Sequence, residues 1–154
     1  MCGMLSSKAK YALRALVRVA EAQLGAEWVL ASEIAEAEAI PKKFLEAILV
    51  ELRDHGLLKS RRGRYGGYRL ARAPTMISAG AVIRIVDGSL SLTPCASRNQ
   101  FGQCADCVSI QLCPMRPLLR KARDAVASVL DSCSIADLAS NRRGRSSRAS
   151  RIAV

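Results

Sequence analysis

The sequence predicts a mainly α-helical protein with a small β wing: a winged helix-turn-helix followed by a long C-terminal helix. Three observations lead to this fold class: two helical segments joined by a tight link, a basic glycine-rich hairpin after them, and a late amphipathic stretch of about five turns. The 154 residues are 50% hydrophobic but only 4% aromatic, which suits one core built from Leu, Ile, Val and Ala. Wholesale disorder is excluded. Since no apolar run is long enough for a membrane span or a signal peptide, we expect a soluble, cytoplasmic protein without a membrane partner.

Apolar residues recur every three or four positions over residues 6–25, which predicts a first amphipathic helix. A short second helix is predicted over residues 32–37. A third runs through residues 41–55, where Pro41 suits the first helical position and Gly56 ends the helix. The apolar stripe of the third helix consists of Phe44, Leu45, Ile48, Leu49 and Leu52. A short helix, a tight link and a longer helix together indicate a helix-turn-helix.

Two short strand-like runs, residues 57–62 and 68–70, flank a glycine-rich turn and predict a hairpin. Its basic residues are Lys59, Arg61, Arg62 and Arg64. They could form a solvated charge run. Next to a helix-turn-helix, however, a basic hairpin favours nucleic acid, because glycines allow close backbone approach and arginine fits a narrow minor groove.

The second half divides into a short helix capped by Ser78, a cysteine-containing loop and an amphipathic helix from Pro114 onward, which we expect to mediate dimerisation. We therefore predict a winged helix-turn-helix domain over residues 1–74, the cysteine loop with the dimerisation helix over 75–140, and a disordered basic tail over 141–154. The net charge of +11 is concentrated in the first and last of these segments. Such an excess implies a polyanionic partner or a solvated tail.

Four of the six cysteines fall within nineteen residues, with eight, two and five residues between successive sulfurs. They are Cys95, Cys104, Cys107 and Cys113. In a reducing compartment such a cluster indicates a metal centre or redox thiols. Only Cys104 and Cys107 have the close spacing typical of a zinc pair, and the wider spacings suit an iron–sulfur cluster. From the residues alone, iron–sulfur, zinc and uncoordinated thiols all stay open.

Several segments together resemble the bacterial Rrf2 regulators, the family of IscR, NsrR and RirA. They are residues 5–16, residues 40–46, the wing at 62–68, the cysteine loop and Arg123-Asp124-Ala125. The resemblance covers about residues 4–139. It implies a homodimeric winged helix-turn-helix transcription factor, not an enzyme, that binds a pseudo-palindromic operator in double-stranded DNA and senses iron, redox state or nitric oxide.

The resemblance also assigns DNA-binding roles to individual residues. Lys43, Glu46 and Ala47 match the base-reading face of the recognition helix, and Arg62 and Gly63 match the wing contact to the minor groove. Ala47 stands where the iron–sulfur-biogenesis member has a polar reader, so a different operator is expected. The complete predicted DNA-binding set is Lys8, Tyr11, Lys42, Lys43, Glu46, Ala47, Arg62, Gly63 and Arg64.

For the metal site, Cys95, Cys107 and Cys113 match the family's cysteine ligands, and Cys104 is additional. Arg116 occupies a position that is histidine in the iron–sulfur-biogenesis regulator, and it cannot ligate because it stays protonated. A fourth ligand must be Cys104 or come from elsewhere, and either [2Fe-2S] or [4Fe-4S] is compatible.

The hypothesis from sequence is a cluster-gated regulator that acts as a repressor. The alternatives are a winged-helix regulator with a structural zinc or a cluster-free thiol switch, and, more remotely, an iron–sulfur electron carrier.

Overall fold

The computed structural model describes residues 5–23, 28–63 and 65–152, with side chains as far as residue 144. The helices are α1 (Ser7–Gln23), α2 (Ala31–Glu38), α3 (Lys42–Asp54), α4 (Ala79–Asp87), α5 (Arg116–Ser132) and α6 (Ile135–Ile152). The strands are β1 (Leu58–Arg61) and β2 (Gly67–Leu70). Single 3-10 turns lie at Pro74–Met76 and Pro94–Ala96. The mainly helical fold with one small hairpin is the predicted fold class.

The helix-turn-helix forms where the sequence predicted it, and its ends have local causes. The Ser6 hydroxyl accepts a hydrogen bond from the Ala9 amide at 3.0 Å and caps α1. Helix α3 begins one residue after Pro41, and Gly56 with φ of +72° follows its end. His55 caps α3 through Nδ1, 2.9 Å from the Glu51 carbonyl oxygen, so this histidine has a structural role.

The wing is an antiparallel hairpin in which Leu58 pairs with Leu70 and Arg61 with Gly67. Val29, just before α2, forms an isolated antiparallel β-bridge with Tyr68, through backbone hydrogen bonds of 3.1 and 2.8 Å. Gly67 has φ of +129°, and a Cβ there would overlap the Val29 carbonyl. Glycine is therefore required for the hairpin to lie this close to the segment before α2.

One hydrophobic core crosses the predicted boundary between residues 74 and 75. Leu16 and Leu49 from the helix-turn-helix lie in the same buried cluster as Val82 of α4 and Ile135 of α6. Helices α4 and α6 both pack against α1. The segment 1–74 thus completes its core with the second half of the chain.

Helix α6 continues through the segment 141–154, for which a disordered tail was predicted, as far as Ile152. Ala139 is buried in the core, and Arg142 forms a 2.6 Å ion pair with Glu38 of α2. These long-range contacts pack the first turns of α6 against the rest of the protein. The Ser- and Arg-rich sequence of this helix does not by itself predict such packing. In the described part of the chain, no helix has both the length and the apolar character needed to cross a membrane.

Candidate nucleic-acid interface and cysteine loop

Helix α3 buries one face and exposes the other. Its buried side consists of Leu45, Ile48, Leu49 and Leu52, each with no exposed surface. Lys43, Glu46 and Ala47 lie on the exposed side, as does Lys42, whose ammonium is 4.0 Å from Glu46. The predicted base-reading residues therefore share one surface, and the buried leucines and isoleucine fix its orientation.

Helix α1 flanks that surface. Two of its residues that were predicted to bind DNA, Lys8 and Tyr11, contact α3. Lys8 forms a 2.7 Å ion pair with Glu51 of α3. The Tyr11 ring meets Phe44 edge-on, with centroids 5.8 Å apart. Phe44 was predicted to belong to the buried stripe, but 42% of it is exposed. It lies at the edge of this exposed surface, in contact with Tyr11.

The wing presents Arg62 and Gly63 at its exposed tip, while Arg64 lies outside the described residues. Gly63 has φ of +105° and open space where a Cβ would be. Sequence reasoning did not foresee the role of Arg61, whose guanidinium lies 4.8 Å from the centre of the Trp28 ring and donates to the Tyr65 carbonyl. These contacts tie the exposed Arg61 to the wing and to Trp28, and Arg62 next to it is also exposed.

The cysteine loop, residues 88–115, is held to α5 by two arginines of that helix. Arg116 Nε donates to the Cys95 carbonyl oxygen at 3.2 Å. Arg123, which is 7% exposed, donates to the carbonyl of Ala96. The Arg123 guanidinium also pairs with Asp124 at 2.6 Å. Arg123 had been noticed only as part of a motif, since its burial depends on a carbonyl 27 residues away.

Neighbouring thiols contribute to the pKa shifts of three of the four predicted ligands, Cys95, Cys104 and Cys107. A hydrogen bond from Thr93, whose hydroxyl is 3.3 Å from the Cys95 sulfur, lowers the pKa of Cys95, and the Cys104 thiol and Arg116 act in the same direction. The hydrogen bond with Cys95 raises the pKa of Cys104.

Burial, with the charge of Cys113 next in importance, raises the pKa of Cys107. These thiols thus interact mainly within two pairs, Cys95 with Cys104 and Cys107 with Cys113. Among the residues that the structure describes, no three Cys, His, Asp or Glu side chains form a group that could hold a metal ion as they stand.

A helix-turn-helix with a polar exposed face and a basic wing defines a winged-helix DNA-binding protein. The comparisons agree: a family profile described as "Rrf2: Iron-dependent Transcriptional regulator" matches residues 5–141. The chain belongs to the Rrf2 family of transcriptional regulators, as its motifs predicted. Because this is a family of regulators, the prediction that the chain is not an enzyme is confirmed.

The chain is 37% identical over 137 residues to an rrf2-like HTH-type transcriptional regulator of Rhodobacter capsulatus, covering 88% of this chain and 91% of that one. It is 36% identical over 142 residues to NsrR of Geobacillus kaustophilus, covering 90% of each.

Among solved structures, CymR of B. subtilis, titled the global cysteine regulator, matches with a TM-score of 0.72 and 33% identity over 92% of this chain and 98% of that one. IscR of T. potens matches with a TM-score of 0.67 and 30% identity, and the match covers 90% of this chain and 87% of that one.

Proposed function

We propose that this regulator is a homodimeric repressor whose cysteine loop holds an iron–sulfur cluster and couples it to operator binding. The observation that carries the proposal is the placement of four thiols in one loop whose backbone is tied to α5 by Arg116 and Arg123. Any change in the loop acts on α5 directly through these contacts. A DNA partner also implies the cytoplasm as the compartment.

For operator recognition, the exposed face of α3 enters a major groove, where Lys43 and Glu46 contact base edges. Ala47 contributes apolar contact, and Lys42 binds a phosphate. Arg62 and Gly63 of the wing approach the minor groove with Arg64, while Lys8 and Tyr11 contact the phosphate backbone at the edge of α3. Lys8 does so from within its ion pair with Glu51, which fixes the position of its ammonium group.

Dimerisation is supported by the apolar surface of α5. Leu118 and Val129 are 67% and 68% exposed, and Met115 just before the helix is 62% exposed. Exposed apolar side chains that follow one face of a long helix are typical of a helix that packs against another chain. A twofold dimer through α5 would place two copies of α3 on successive major grooves of a pseudo-palindrome.

The donor set of the loop fits an iron–sulfur cluster in its chemistry, since four soft thiolates are the ligands such clusters prefer. Cys95, Cys104, Cys107 and Cys113 would hold it, with the two sulfur pairs drawn together, and either [2Fe-2S] or [4Fe-4S] can be served by four thiols. The group would supply a reversible response to iron, oxidants or nitric oxide. Arg116 acts on the loop from outside the ligand set, through the Cys95 carbonyl.

Gating then needs only a modest energy difference. When the ligand pairs separate, the carbonyls of Cys95 and Ala96 shift, and the arginines of α5 follow them. If one arrangement of α5 suits the operator better, the population of DNA-binding dimers changes. A tenfold change in operator affinity corresponds to about 1.4 kcal/mol.

Purification without oxygen, with a visible spectrum and assays of iron, sulfide and zinc, tests the cluster. We expect coloured protein with matched iron and sulfide, a cluster content that falls in Cys107→Ala, and an unchanged content in the control Cys133→Ala. The operator is obtained by selection from a random duplex library. Unchanged cluster content and unchanged binding to the selected duplex in Cys107→Ala would contradict the gating proposal. One zinc per chain would instead indicate a structural metal site.

A thiol switch is the second candidate, and it is supported by the interaction of Cys95 with Cys104 and of Cys107 with Cys113. Each pair can close to a disulfide by giving two protons and two electrons to an external disulfide, which is reduced to two thiols. A CymR structure from Staphylococcus aureus is titled an oxidized form, and this chain is 30% identical to it. Metal-free protein whose DNA binding changes with the thiol–disulfide ratio would favour this candidate over the cluster.

A further inference from the structure

The C-terminal helix is fixed to the helix-turn-helix by a buried carboxylate. The side chain of Glu38, at the end of α2, is only 4% exposed and accepts hydrogen bonds from Arg14 Nε at 3.0 Å and from Arg142 Nη1 at 2.6 Å. Arg142 also lies 3.8 Å from Glu21 of α1. A buried carboxylate needs such charged partners, so Glu38 ties α6 to both α1 and α2.

This anchor lies beside the DNA-facing surface of α3. The Tyr11 ring contacts Phe44 of α3, and the Arg14 guanidinium carbon lies 5.9 Å from the centre of the same ring. Arg14 in turn binds Glu38, and Glu38 binds Arg142. A continuous row of contacting side chains therefore joins the edge of the recognition surface to α6.

Beyond the anchor, α6 carries a dense positive charge. Residues 141–154 contain Arg142, Arg143, Arg145, Arg148 and Arg151 and no acidic residue. Arg143 is exposed, as is Lys10 on the neighbouring face of α1, and within the described residues neither has a carboxylate partner. From residue 143 to residue 151 the helix extends about 12 Å, a length that can follow a DNA backbone.

We propose that α6 beyond Arg142 is a second phosphate-binding element, which extends the DNA interface past the helix-turn-helix and wing. Arg142 is its anchor, and the arginines at 143, 145, 148 and 151 supply charge to the phosphates flanking the site read by α3. The partner chemistry is the DNA backbone, without base readout. The inference rests on DNA binding in the proposed function and adds a surface to it.

The test compares the full chain with a truncation after Gly144 and with the substitution Arg143→Gln, both of which keep the Glu38 anchor. A charge-matched control, Arg98→Gln with Arg120→Gln and Lys121→Gln, removes three cations from the cysteine loop and α5. Dissociation constants are measured over a range of salt for a mixed-sequence duplex and for the duplex selected from the random library. Circular dichroism checks that each variant keeps its fold.

For the truncation we expect several-fold weaker binding to both duplexes and a salt slope reduced by about 0.9 for each arginine that contacts a phosphate. Arg143→Gln should lower the slope by one contact at most, and the triple control should leave it unchanged. If the truncated protein kept the salt slope of the full chain, the inference would be overturned. The same result is expected if α6 binds an acidic protein instead of DNA. Failure of the full chain to bind either duplex would instead overturn the proposed DNA-binding function.

Discussion

The proposed DNA-binding surface and the cysteine loop are stabilised by different interactions. The surface of α3 stands on side chains such as Leu45 and Leu49, which are completely buried. In the loop, Cys95 and Ala96 are buried, but Val108 and Leu112 further along are exposed, so apolar burial holds only the first part of it. Guanidinium groups of α5 that donate to the Cys95 and Ala96 carbonyls complete its attachment.

This difference suits the proposed roles of α3 in DNA recognition and of the loop in sensing. A surface fixed by buried apolar contacts keeps its shape until the whole domain unfolds, whereas a segment held by a few polar contacts can rearrange locally at low cost. We therefore expect the loop to open in the native state and α3 to open only on global unfolding. Three predictions test this comparison, from the largest expected effect to the smallest.

The same substitution at the two sites should have very different effects. Leu49→Ala removes a side chain without exposed surface and should lower the free energy of unfolding by about 2 to 5 kcal/mol. Leu112→Ala, in the exposed part of the loop, should change it by less than about 0.5 kcal/mol. Urea denaturation of the isolated protein measures both. Equal effects would show that the loop belongs to the cooperative core.

Arg123→Met should destabilise the cysteine loop locally without changing the stability of α3. The change removes the donor to the buried Ala96 carbonyl while keeping an apolar stem, with an expected cost of about 1 to 3 kcal/mol. Amide hydrogen exchange should accelerate at Ala96 and Ser97 but stay unchanged in α3. Arg120→Met, an exposed arginine on the same helix, is the control. Acceleration that spreads equally into α3 would contradict the comparison.

The smallest effect concerns the ion pair that joins α4 to α5. Arg84 of α4 binds Asp131 of α5 through two contacts of 2.6 and 2.8 Å, and this hydrogen bonding lowers the pKa of Asp131. Because the pKa is lower in the folded state, the pair stabilises the fold above the ordinary carboxyl pKa of about 3.9, and this contribution is lost as the pH falls through the folded-state value.

Asp131→Asn should therefore be less stable than the parent at pH 6 by at most about 1 kcal/mol, with the difference vanishing under acid conditions. Stability curves of both proteins against pH provide the measurement. A difference that grew as the pH fell would have the wrong sign for this ion pair.

The helix-turn-helix could be predicted from its apolar periodicity and helix ends, and the wing from its glycine-rich turn, because each of these patterns lies within a short stretch of sequence. The exposed position of Lys43, Glu46 and Ala47 followed from the same stripe. Phe44 was misplaced, since its spacing fits the stripe but its ring turns to Tyr11 on another helix.

The sequence by itself thus determined the family, the fold class, the exposed face of α3 and the clustering of the cysteines, all of which depend on residues close together in the chain. Only the tertiary structure decided that Arg123 holds Ala96, that Glu38 holds Arg142 and that the arginine-rich end is helical. The reason is physical: burying an arginine or a carboxylate costs free energy unless a charged or carbonyl partner is present. Those partners lie 27 and 104 residues away, where no local pattern reveals them.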